Sequence, residues 1–119
     1  MRYDIIINLD YENYEHGALR LLFNQIHDAM LERGFVIDGR RFTIDEPPAV
    51  AQQLAREVVN SLEQQYQEQG QSIYPWIKEF FGFEPENASN LLLPPTEEIH
   101  VQELADIEGL EVVNLFDRL

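Results

Sequence analysis

The stretch "FVIDGRRFTI", residues 35–44, constrains the fold more than any other part of this chain. Two short β-prone runs are separated by Asp38-Gly39. That dipeptide is a strong local signal for a tight hairpin of type I′, whose two central positions need positive φ. What flanks it carries a different period. Upstream, Leu19, Leu22, Phe23, Ile26 and Met30 recur at helical spacing, which predicts a helix over about 15–33, with Gly34 as its C-terminal cap. Downstream, Pro47-Pro48 ends the second arm and can open a helix, because proline is tolerated in a first turn. Ala51, Leu54, Ala55, Val58, Leu62 and Tyr66 give that helix its apolar stripe to roughly Gln69, where Gly70 stops it. A hairpin held between two amphipathic helices needs a sheet for both helices to cover.

The first strand of that sheet reads at residues 3–10. Ile5, Ile7 and Leu9 lie on one face, with Asp4, Ile6 and Asn8 on the other. After Gly70 a shorter helix is expected over about 73–81, with Ile73, Ile77, Phe80 and Phe81 on one side and Ser72 as N-cap. Residues 82–97 read as an irregular loop framed by Gly82, Pro85 and Pro94-Pro95. Strands follow at about 99–104 and 110–116, parted by "ADIEG". The chain carries no internal repeat, and the Gln-rich stretch 64–71 is a polar helix end. The expected fold is thus α+β: a ferredoxin-like βαββαβ sandwich with an inserted helix and an extra C-terminal strand, forming one domain over 1–119.

Composition narrows the chemistry. At 119 residues, 45% hydrophobic, the chain can bury a core without staples. It has no cysteine, which excludes disulfides, thiolate catalysis and Cys-based zinc sites. The apolar start is broken at Asp10, too early for a signal peptide, and no apolar run reaches membrane length. The expected location is the cytoplasm, away from membranes, where the sequon Asn87-Ala88-Ser89 would stay idle.

The net charge is −14, unevenly spread. Residues 1–56 carry nine acids and six bases, whereas residues 57–119 carry thirteen acids against Lys78 and Arg118. Such a surface repels nucleic acid and anionic lipid within a Debye length. It serves solubility, or it forms a docking surface for a basic protein partner, in the extreme case as a mimic of nucleic acid.

A first strand ending near Asp10, a helix running into "LERGF", a short turn and "RRFTI" together resemble the virulence-associated protein D group. More distantly, they resemble the small CRISPR-associated endonucleases of ferredoxin-like fold. The resemblance covers about residues 3–44, with "IHVQEL" as a possible fourth strand. It implies RNA cleavage with a divalent metal held between paired subunits, and Asp10 is the position that matches the aspartate ending the first strand. Magnesium or manganese would be oxygen-ligated by two Asp10 carboxylates and would activate water, while Arg40 and Arg41 would steady phosphate oxygens. Beside this stands the reading of Asp10 as ordinary turn chemistry. The loop "DYENYEHG" is acidic, and 47–97 departs from the family pattern. Without the resemblance, no cofactor is expected.

The other candidates are recognition features. His16, His27 and His100 share no ligand spacing. Glycine-rich phosphate loops and nucleophile elbows are absent. Tyr74, Trp76, Phe80 and Phe81, together with Leu91, Leu92 and Leu93 in a proline-bounded loop, either fill the core or form an exposed anchor for a partner. The tail strand 110–116 is apolar on both faces. Left bare it would invite aggregation, so a homodimer paired through it is expected. The leading expectation is therefore a small acidic protein that acts by protein–protein interaction and not by catalysis.

Overall fold

A computed structural model describes residues 2–85 and 112–118 of the chain. Its first strand, β1, spans Tyr3–Leu9. Helix α1 follows over His16–Glu32, the hairpin strands β2 and β3 over Val36–Asp38 and Arg41–Ile44, and helix α2 over Pro48–Gln67. A 3-10 turn, Tyr74–Trp76, leads into β4, Ile77–Phe83. Strand β5, Val113–Asn114, runs into another 3-10 turn, Leu115–Arg118. Among the described residues the sheet has the order β2-β3-β1-β4-β5, and each pair of neighbours is antiparallel.

Helix α1 ends as its sequence demands. Gly34 takes φ +95°, its N–H donates to Leu31 O, and the Phe35 N–H reaches back to Met30 O. These two bonds are the Schellman pattern, and Phe35 and Met30 are both buried where it closes. Leu19, Leu22, Ile26 and Met30 bury the inner face of α1. Ala51, Ala55, Val58, Val59, Leu62 and Tyr66 do so for α2. Both faces meet Tyr3, Ile5, Ile7 and Leu9 of β1, Phe42 and Ile44 of β3, and Phe80 of β4 in one core.

The hairpin lies where expected, but its turn is different. Asp38 pairs with Arg41, so Gly39 and Arg40 are the central residues. Gly39 has φ +62° and no non-glycine residue among those described has positive φ. Positive φ at the first central position alone is the type II′ pattern, which needs only one glycine. Asp38 is free to remain in the strand.

The larger correction falls on residues 73–81. They form no α-helix: after the 3-10 turn the chain becomes β4, the strand paired along β1. A bulge explains the misleading spacing. Asn8 faces Glu79 and Leu9 faces Ile77, so Lys78 is an extra residue with no partner opposite. Ile77 and Phe80, three apart, therefore share the core face, which mimics a helical interval. The strand beside β1 is thus β4, and the expected strand 99–104 lies outside the described residues. Of the expected tail strand 110–116, residues 110 and 111 lie outside the described residues, and Val113–Asn114 is the strand among the rest. It pairs with Gly82 and Phe81 of β4 in its own sheet, and Leu115 and Phe116 then turn back onto the core.

Gly82, expected in a loop, sits inside β4 opposite Ile5. A Cβ there would lie 2.5 Å from Tyr3 Cε2 and 2.9 Å from Tyr3 Oη. The Tyr3 ring is 2% exposed, and Gln52 Nε2 donates to its hydroxyl at 2.9 Å, so it has little room to yield. Gly82→Ala is expected to destabilise the fold by about 2 kcal/mol, read as a lower urea midpoint. An unchanged midpoint would show that the ring can move aside.

Candidate functional site

Three elements meet at the C-terminal end of β1. The register of β1 with β3 stops at Ile5 opposite Phe42, yet β1 continues to Leu9 along β4. The hairpin turn at Gly39–Arg40 carries the chain away to β2, so Ile7, Asn8 and Leu9 have no strand opposite them on the β3 side among the described residues. The gap is a cleft of about 360 Å³, lined by Ile7, Asn8, Leu9, Tyr11, Phe23, Gly39 and Arg40. Phe23 comes from α1 and packs near Phe42, with ring centroids 6.5 Å apart. Tyr11 is 43% exposed, its ring edge-on to His16 at 5.5 Å. Arg40 makes no ion pair or hydrogen bond among the described residues.

Asp10 leaves β1 beside this cleft. Its N–H donates to Trp76 O at 2.8 Å, which fastens the strand end to the 3-10 turn. Its carboxylate accepts from Asn13 Nδ2 at 2.8 Å within the same loop. No three His, Asp or Glu side chains gather to hold a metal among the described residues.

The two arginines suggested for phosphate contacts part company. Arg40 lines the cleft together with Leu9 and Tyr11, the residues on either side of Asp10. Arg41 points to the sheet face opposite α1 and α2, where its Nη1 donates to Asp4 Oδ2 at 3.2 Å and its guanidinium lies 5.4 Å from the centre of the Phe83 ring. Asp4 is fully buried and also pairs with Arg2, which reaches on to Asp38. Arg41 is engaged in the fold.

The aromatic run divides as well. Phe80 (1% exposed) belongs to the core, where it meets Phe116 edge-on at 5.7 Å. Phe81 (2% exposed) stacks on Phe83 across the opposite face. Neither is an exposed anchor. Tyr74 and Trp76 are half-buried in the 3-10 turn, with Trp76 edge-on to Tyr66 at 5.8 Å. Leu91, Leu92 and Leu93 lie outside the described residues.

One charged group went unforeseen. Glu63, on α2, is 2% exposed. Its carboxylate accepts from the Ile73 N–H at 2.7 Å, from Gln67 Nε2 at 2.7 Å and from Ser72 Oγ at 3.0 Å. Burial alone would raise its pKa, but the bonds from Ile73, Gln67, Ser72 and the Tyr74 backbone together prevail and hold the carboxyl below the usual glutamate range. The sequence carried a signal: Glu63 falls four residues after Val59, within the apolar stripe, just before the Gly70 stop. It anchors the loop that launches β4.

Among the described residues no helix is long and apolar enough to cross a membrane. No family model, curated protein or solved structure matches this chain.

Proposed function

We propose that this chain is a small acidic cytoplasmic protein of ferredoxin-like architecture that works by binding another protein and performs no chemistry of its own. The cleft at the end of β1 is the observation that carries this reading. It is open, it is edged by an exposed tyrosine, and it holds an arginine with no ion pair or hydrogen bond among the described residues. Tyrosine and arginine are the side chains that most often concentrate binding energy. The ferredoxin-like assignment is supported by the order β2-β3-β1-β4, antiparallel throughout, with α1 and α2 each joining strands separated by one neighbour.

The acidic second half favours a partner with a basic surface. Tagged full-length protein incubated with lysate should retain such a partner at low salt and release it at high salt. Recovery of none at low salt would remove this reading and the nucleic-acid mimic with it. Homodimer formation belongs to the same proposal on new ground. The tail strand pairs within its own sheet, whereas β2 ends the sheet among the described residues, with Val36 63% exposed. Sedimentation of wild type against Val36→Lys tests it, and an unchanged mass would leave the edge unused.

A second reading, metal-dependent RNA cleavage with Asp10 as metal ligand, is favoured by Arg40 standing at the same end of β1. Purified protein is expected to show no cleavage with magnesium or manganese. Asp10→Asn is expected to shift stability by no more than about 1 kcal/mol, because among the described residues only the bond from Asn13 changes. Metal-dependent turnover that disappears in Asp10→Asn would reverse the order of the two readings.

A further inference from the structure

We infer that the cleft receives the extended carboxyl-terminal tail of a partner protein, added to the sheet as a short strand along Ile7–Leu9 with its terminal carboxylate on Arg40. This deepens the binding function proposed above and rests on it.

The direction and the chain end both follow from the geometry. Counting on from Ile5 opposite Phe42, a straight continuation of β3 would place its residues opposite Ile7, Asn8 and Leu9. The chain instead turns off at Gly39–Arg40 toward β2. The lane left beside β1 is about 10 Å long, or three residues of strand. Leu9 O on this edge already accepts from the Tyr11 N–H at 3.1 Å, but along Ile7–Leu9 the side of β1 away from β4 has no strand opposite among the described residues, which is the arrangement that peptide strand addition uses. The lane is closed at the hairpin end by Gly39 and Arg40, so a peptide lying in it cannot run on through the turn. It must end there.

A peptide antiparallel to β1 brings its carboxyl terminus to Arg40, and a parallel one brings its amino terminus. The guanidinium attracts the first and repels the second, and Arg40 has no carboxylate of its own among the described residues. The side walls fit the rest of such a tail. Ile7, Leu9 and Phe23 offer an apolar wall on the helix side, and Tyr11 edges the open mouth. Asn8, on the other face, is held by Glu79, with 2.9 Å between Nδ2 and Oε1. The predicted ligand has an apolar residue near its end and a free terminal carboxylate.

The test uses random hexapeptides displayed with free carboxyl ends and selected on the full chain, with Arg40→Glu protein as counter-selection. The best peptide is then synthesised as free acid and as amide, and its binding is followed by fluorescence polarisation and by backbone amide shifts. The expected result is that amidation and Arg40→Glu each weaken binding about tenfold or more, and that the shifts centre on Ile7–Leu9. Equal binding of acid and amide, shifts centred elsewhere, or no peptide enriched over the counter-selection would overturn the assignment. So would enrichment of the chain's own last residues, which would seat a second copy there. If the site fails while Arg40→Glu protein still retains a partner from lysate, the binding function stands without this cleft. Loss of any partner from both proteins would remove the function itself.

Discussion

Glu63→Ala is expected to lower stability by about 3 kcal/mol, seen as a fall of roughly 12–20 °C in Tm for a domain near this size. The magnitude comes from what the carboxylate leaves behind. Ser72 and Gln67 are exposed and can turn to water, but the Ile73 N–H is buried and donates to Glu63 at 2.7 Å. A buried donor stripped of a charged acceptor loses about 1.5–3 kcal/mol. The truncated side chain adds a cavity beneath the loop before β4. Glu63→Gln separates charge from shape. It fills the same space and keeps one acceptor oxygen, but turns an NH2 toward backbone donors, so about half the loss is expected.

The same residue sets a pH signature. Its folded carboxyl titrates below the ordinary value of 4.5, because the hydrogen bonds outweigh burial. The unfolded chain therefore takes up this proton first as pH falls. The contribution is complete above about 4.5 and erodes as pH drops from there through the folded pKa. Urea midpoints of wild type and Glu63→Gln, measured at a series of acidic pH values, should converge as pH falls through this window. Parallel curves would show that Glu63 is not the group responsible. The other carboxylates are common to both proteins and drop out of the difference.

The legible parts of this fold were those specified by neighbours in the chain. The α1 stop at Gly34, the proline-opened start of α2 and the place of the hairpin each depend on a few adjacent residues, and all three hold. What failed depends on a partner strand. Ile77 and Phe80 look helical because Lys78 is bulged against β1, and only the pairing of Asn8 and Leu9 reveals it. The turn type failed for a related reason: whether Asp38 lies in the turn or pairs with Arg41 is a matter of register. The site shows the same division. Asp10 and Arg40 could be named as candidates by type and place, but the cleft beside them exists because β3 stops short of the end of β1, and no single stretch of sequence records that.

Asp4 was read only as a member of the second face of β1, and its removal is the other large effect expected. Asp4→Ala should cost about 3 kcal/mol, near the lower end of what breaking a buried pair costs. The estimate is kept low because Arg41, at 14% side-chain exposure, regains some water when its partner goes. Arg2 is 42% exposed and adds little, so Arg2→Ala is expected to cost less than about 1 kcal/mol. The burden lies with Arg41, left charged over the ring of fully buried Phe83. Replacing both members tests that directly: Arg41→Met removes the stranded charge and keeps an apolar side chain over the ring. The double variant Asp4→Ala/Arg41→Met should therefore be more stable than the sum of the single losses predicts, by about 1 kcal/mol or more. Additivity within about 0.5 kcal/mol would mean that Asp4 and Arg41 are not coupled, and that the buried carboxylate depends on Arg2 and its backbone surroundings instead.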